Sequence, residues 1–251
     1  MKNGVIKKRV RTAVYFVIRG ATVGVLLHSI YRGKWENAMT CLLSLGLMFI
    51  PSFAERRLKI TLPCTLEIMM VCFVFAANIL GEISSFYEKI PSLDTILHTI
   101  NGFICAGVGF GLIDILNENK RVKMNLSPIF VVLFSFCFSM TAGTVWEFFE
   151  FGMDYFFGGD MQKDTVINDL RSYTLVGHLG TMSVDNIKDT AVNGQSLGVN
   201  GYLDIGLYDT MKDLFVNFIG ALVFNVAGCF YLKGRKKHTE FIENFIPTKL
   251  E

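Results

Sequence analysis

Apolar residues run long enough to cross a bilayer, which takes about 20 residues of helix, over 12–31, 36–54, 62–83, 94–116, 128–151 and 209–232. The polar positions between them fall into two kinds. Short basic connections alternate with two longer, less basic ones, "GEISSFYEKIPSLD" (81–94) and residues 158–208. The pattern predicts an all-α fold, a polytopic membrane bundle of about six transmembrane helices. It forms a single transmembrane domain over 1–251, with an extracytoplasmic insertion at 158–205. That insertion is rich in Gly, Asp, Asn and Thr with scattered Val, Ile and Leu. It is too long for a plain loop in a compact protein, and its composition suits short strands or a small cap.

The basic residues set an expected orientation. Lys2, Lys7, Lys8, Arg9 and Arg11 precede the first span. Arg56, Arg57 and Lys59 join the second to the third, and Lys120, Arg121 and Lys123 join the fourth to the fifth. Lys233, Arg235, Lys236 and Lys237 follow the sixth. With six spans these segments share one side, so both termini are expected in the cytoplasm. Arg32 and Lys34, in the first outer turn, run against the trend. Arg19 interrupts the first span and must snorkel or face a protein interior.

Composition strengthens this picture. The chain of 251 residues is 51% hydrophobic and holds 23 Phe, with a mean hydropathy of +0.42. That is too apolar for an ordinary soluble domain of this size. The net charge of +2 decides little. Cys41, Cys64, Cys72, Cys105, Cys137 and Cys229 lie in apolar stretches without a CxxC pair, and read as small buried hydrophobes. The basic N-terminus is followed by a long apolar run with no convincing cleavage site, so it reads as a retained first span. The basic runs sit at span ends, where orientation and anionic lipid explain them; nucleic-acid binding is not expected.

Three spans carry acids at the end where residues 81–94 and 158–208 lie. The fourth opens with Asp94, His98 and Asn101, spaced i, i+4 and i+7 on one face. The fifth closes with Glu147 and Glu150. The sixth opens with Asp209, Asp213 and Asn217, each four residues after the last. Asp94, Glu150 and Asp209 would form an upper level, with His98, Glu147 and Asp213 one turn deeper. Asn101 and Asn217 lie below, where Gly102 and Gly220 permit close helix approach. A carboxylate facing lipid costs about 2.5 kcal/mol or more near the bilayer centre, so these residues are expected to face a shared wet interior.

No Lys or Arg falls on those three faces at matching depth; Lys212 lies about 100° around the helix from Asp213. The missing positive charge points to a bound divalent cation, with Asp94, His98, Glu147 and Asp213 as its ligand set. Simpler readings stand beside this. Asp94 and Asp209 can cap helix N-termini, Glu147 and Glu150 can be solvated at a helix end, His98 can be a satisfied interior histidine, and polar groups can join helices. Glu67 and Asp114 lie in the other half, where anchoring or pairing is expected. His178 is a weaker candidate ligand, and His238 belongs to the basic tail.

The phrases "GEISSFYEKIPSLDTILHTINGF", "VWEFFEF" and "LYDTMKDLFVNFIGAL" resemble, in order, motifs of the YjdF-like family of uncharacterised bacterial membrane proteins. A wider likeness is to VanZ-like membrane proteins, whose pattern would fall here on Asp94 and His98, Glu147, then Asp213, Asn217 and Gly220. The resemblance covers roughly 81–156 and 200–224. It implies a multi-pass protein of the bacterial plasma membrane, and no settled activity.

The functional expectation is an acidic outer-leaflet pocket that binds or, with metal assistance, acts on a lipid or lipid-linked envelope substrate. His98, Glu147 and Asp213 are the candidate catalytic residues, and Asp94, Asn101, Glu150, Asp209 and Asn217 the candidate binding residues. The expected partners are membrane lipid and such a substrate. The alternatives are a cation- or proton-coupled transporter, and a structural scaffold. P-loop, GxSxG, HExxH and Rossmann patterns are absent.

Overall fold

The structure, a computed structural model, describes residues 2–90, 92–117, 126–176, 180–234 and 240–249. Among the described residues are six helices long and apolar enough to cross a membrane. The first is α1 (Lys2–Tyr31). The second is broken into α2 (Trp35–Leu47) and α3 (Ile50–Leu58). The third is α4 (Cys64–Val74) continued by a π-helical stretch, Phe75–Ile83. After a single turn, α5 (Phe86–Lys89), come α6 (Leu93–Asn117), α7 (Pro128–Phe157) and α8 (Leu207–Gly234). The expected spans therefore hold, with α7 running to Phe157 beyond the expected end at 151. Its last turns stay aromatic through "DYFF", so nothing in the sequence stops the helix there. Side chains such as Phe16, Leu27, Phe148 and Phe230 are exposed, as expected where hydrocarbon replaces water as the surrounding solvent.

The chain forms two compact units, Met1–Thr144 with Leu214–Glu251, and Val145–Asp213. In the first unit, the break between α2 and α3 has a local cause. Pro51 at the start of α3 has no N–H to donate, and its ring opposes a continuous helix. Arg19 on α1 donates to the Met48 carbonyl at 2.7 Å, beside the break. Its guanidinium also lies 4.6 Å from the Tyr15 ring centre and 4.2 Å from that of Phe49. The charge in the first span thus faces protein and satisfies backbone freed in the second, as required within a membrane. Glu67 on α4 is 3% exposed and meets Arg11 at 2.6 Å, so the expected pairing is observed.

The π-helical stretch adds residues to each turn of the third span, and Ser84 N–H donates five residues back to Ile79 at 3.1 Å. Gly81 lies beneath the Tyr87 ring: a Cβ there would come within 2.5 Å of it. The core is built on α6 and α8. Phe103 and Phe224 meet edge-to-face at 5.2 Å, as do Phe110 and Phe224 at 5.8 Å. Such pairs add about 0.5–1.5 kcal/mol each beyond burial. Among the described residues no cysteine forms a disulfide; Cys41 is buried, whereas Cys72 and Cys137 are exposed, so the expectation of uniform burial is corrected.

The chain end returns to this core. Residues 235–239, which include His238, lie outside the described residues. A one-turn helix α9 (Glu240–Glu243) leads to a two-residue strand, Thr248–Lys249, which pairs antiparallel with Ile60–Thr61. Beyond the basic residues, Ile242, Phe245 and Ile246 are buried.

In the second unit, residues 158–206 form antiparallel pairs of short strands: Thr165–Ile167 with Tyr202–Asp204, Leu170–Ser172 with Met182–Val184, and Ala191–Val192 with Gln195–Ser196. The last pair turns through Asn193 and Gly194, both at positive φ (52° and 76°), as a two-residue hairpin requires. Asp154 on α7 ties the start of the segment down, accepting from the N–H groups of Met161 (2.6 Å) and Gln162 (2.8 Å).

Candidate functional site

The first unit positions the α6 face with the lower part of α7 and α8. His98 is 8% exposed, and its Nε2 lies 3.5 Å from Asp94 Oδ1, one turn earlier on the same helix. Asn101 Nδ2 donates to Asn217 Oδ1 at 3.2 Å, joining α6 to α8. Asn217 is fully buried. Its own Nδ2 reaches the Ser139 carbonyl at 3.4 Å and Met140 Sδ at 3.6 Å on α7. Ser139 Oγ donates to the Gly102 carbonyl at 2.8 Å, closing the triangle between the three helices. The Cys105 thiol donates to Asn101 Oδ1 at 3.5 Å.

Small residues make this junction possible. A Cβ at Gly102 would collide with the Asn217 carbonyl, and one at Gly220 with the Thr99 carbonyl. A Cβ at Gly143 would lie 2.8 Å from Asn217 Nδ2. The expected close approach at Gly102 and Gly220 is observed, and Gly143 joins it from α7.

The second unit holds the other acids. Glu147 and Glu150 are 4% and 8% exposed, and Asp209 and Asp213 are 6% and 1% exposed. The Trp146 indole N–H donates to Glu150 at 2.7 Å, one turn apart on α7. Asp209 accepts the Lys163 backbone N–H at 2.8 Å, which ties the long segment to the start of α8. Gln162 Nε2 donates to Thr210 Oγ1 at 2.5 Å beside it. Asp204, just before α8, accepts the Tyr208 N–H at 2.8 Å.

Lys212 corrects one expectation. Its Nζ lies 3.3 Å from Asp209 and 3.6 Å from Asp213. The separation of about 100° describes where its Cβ points, whereas a four-carbon side chain reaches back over a helical turn. Positive charge therefore does reach the α8 acids, on a side chain that is 45% exposed.

Asp94, His98, Glu147, Glu150 and Asp213 are carboxylates and an imidazole of the kind that ligate divalent cations; all are buried except Asp94, which is half-buried. Sequence reasoning found these groups from helical spacing. It missed Trp146, readable as the residue four before Glu150, and Ser139, which carries no motif. His178 lies outside the described residues. Outside the spans, Asp164 is held above the usual carboxylate range by burial and by Asp160 and Asp204.

The sequence profile of a family described as Predicted membrane protein (DUF2238) matches residues 12–234. A protein from Thermotoga maritima, described as uncharacterised, is 28% identical over 106 residues, covering 42% of this chain. The chain spans about half of that relative, 53% of its length. No solved structure matches.

Proposed function

The chain belongs to this family of predicted membrane proteins, and on that premise we propose that it is a bacterial plasma-membrane protein whose fourth, fifth and sixth spans build one acidic pocket, open to the outer leaflet, that binds a divalent cation and a lipid or lipid-linked substrate. The observation that carries the reading is burial. His98, Glu147, Glu150, Asp209 and Asp213 are each 8% exposed or less. Buried ionic groups in a membrane mark functional interiors, because lipid cannot solvate them.

α6, α7 and α8 are joined through Gly102, Ser139 and Asn217. His98 precedes Gly102 by four residues, Glu147 follows Gly143 by four, and Asp213 precedes Asn217 by four. Each step is one turn, about 6 Å, along its own helix. The basic groups on these turns are His98 and Lys212, fewer than the acids Asp94, Glu147, Glu150, Asp209 and Asp213. A divalent cation offsets that excess, with Asp94, His98, Glu147 and Asp213 as the proposed ligands.

Such an ion, when bound, supplies Lewis-acid polarisation of a phosphoryl or acyl oxygen. The chain's own groups do the rest. A carboxylate outside the ligand set, such as Glu150 or Asp209, takes a proton from water. Lys212 draws anionic headgroup oxygens toward Asp209 and Asp213 and limits their mutual repulsion. Positive-inside charge bias supports the outer-leaflet placement. Metal analysis of detergent-purified protein tests the reading. Wild type is expected to retain a divalent cation that the double variant His98→Ala, Asp213→Asn loses; equal metal in both removes the cation from the proposal.

A further inference from the structure

The last residues of the chain bury deeply within the first unit. Ile242, Phe245 and Ile246 are 5%, 5% and 4% exposed, and Pro247 is among the fully buried side chains. Phe245 sets its ring edge-on against Phe103 at 5.2 Å. Its carbonyl oxygen lies 3.0 Å from where a Cβ on Gly107 would stand, and a Cβ on Gly111 would collide with the Pro247 ring. Phe103 is near the middle of α6, about 20 Å along the helix from Asn117. Residues 244–247 are not helical. Irregular backbone at that depth is tolerated only when protein surrounds it, and here the α6 glycines provide the room. Thr248 and Lys249 then clip the segment to Thr61 and Ile60.

We propose that residues 242–249 form a re-entrant plug. It fills the interior between α4, α6 and α8 from the end remote from Asp94 and Asp213, so that water and ions reach the acid-bearing turns from one side only. This rests on the pocket reading above and deepens it: a single-ended interior suits a binder or enzyme and blocks a transport path. The plug's buried side chains, Ile242, Phe245, Ile246 and Pro247, offer an ion no ligand, and a hydrated ion cannot pass a dry aromatic and aliphatic seal.

Two measurements on the full-length protein and one truncation test it. Full-length Phe245→Cys is treated with a membrane-impermeant maleimide before and after unfolding in SDS. It is expected to take no more label than wild type while folded, and one more label per chain once unfolded. Extra label on the folded protein overturns the plug. In liposomes, full-length protein is expected to be as proton-tight as protein-free vesicles, and a chain ended at Thr239 several-fold leakier. A truncated chain that stays folded by circular dichroism and remains tight overturns the barrier role. If truncation prevents folding, the maleimide result on the full-length variant decides by itself. Metal content read on the same full-length preparations separates a failed pocket from a failed plug.

Discussion

Asn101 and Asn217, 116 residues apart in sequence, share a side-chain hydrogen bond of 3.2 Å between α6 and α8. Each supplies a group that lipid cannot satisfy. Asn217 completes its amide with the Ser139 carbonyl on α7, so a single buried residue holds three helices in register.

Asn217→Leu is therefore expected to leave Asn101 and Ser139 without this partner, and to lower stability in detergent by about 1–2 kcal/mol, the scale of interhelical hydrogen bonds in membranes. Gly102→Ala is expected to be worse, because the Asn217 backbone cannot retreat from the new Cβ. Thermal unfolding followed by circular dichroism ranks the two; a Gly102→Ala protein as stable as wild type would contradict the close approach.

Glu67 is 3% exposed beside a partly exposed Arg11. Arg11→Leu takes the charged partner from a buried carboxylate, whereas Arg11→Leu combined with Glu67→Leu removes the carboxylate as well. A double-mutant cycle on denaturation midpoints is expected to show coupling of roughly 1–3 kcal/mol. Additive effects would show that the pair is incidental.

Arg19 both stacks and donates, contacts that a lysine ammonium cannot reproduce together. Arg19→Lys is expected to retain insertion but lose part of the stability that Arg19→Leu loses fully. Equal stability of wild type and Arg19→Leu, measured by thermal unfolding, would show that the Met48 carbonyl needs no such donor.

Lys212 competes with any cation for Asp209 and Asp213. Lys212→Gln is expected to tighten Mn²⁺ binding several-fold in calorimetric titration, since a repelling charge is removed. Weakened binding with an intact fold would mean that the lysine organises the carboxylates instead.

Asp164 carries a pH dependence. Its pKa is raised in the folded chain by burial, Asp160 and Asp204. A raised carboxylate pKa means that the folded segment binds the proton more tightly than the unfolded one. The contribution to stability is thus complete below the unfolded pKa and is lost as pH rises through the folded value. Amides of the strands Thr165–Ile167 and Tyr202–Asp204 are expected to exchange more slowly at mildly acidic pH than at neutral pH, after correction for intrinsic exchange. Asp164→Asn should flatten that difference. An undiminished difference in the variant would assign it to another group.

Several parts of this molecule are legible without coordinates because they follow from transfer free energy or helical period alone. A run of apolar residues declares a span wherever it ends up, and spacings of three and four declare a shared face. The face carrying Asp94, His98 and Asn101, and that carrying Asp209, Asp213 and Asn217, needed nothing more. The break at Met48–Phe49 was half legible, since Pro51 marks it, but not that Arg19 would answer it from another helix.

Other features depend on which surfaces meet, and no local rule reports that. Whether Lys212 reaches two carboxylates depends on the path of a flexible side chain, not on the direction of its Cβ. The π-helical turns of Phe75–Ile83 accompany a Tyr87 ring resting on Gly81. Ile242, Phe245, Ile246 and Pro247 are too few apolar residues to read as membrane structure by hydropathy; they become buried because Gly107 and Gly111 open α6 to receive them. Hydropathy and periodicity are properties of a residue and its near neighbours, and they reach as far as the helices and their polar faces. The amide junction at Asn217, the lysine contact and the re-entrant tail arise from shape complementarity between segments far apart in the chain, and folding alone brings those together.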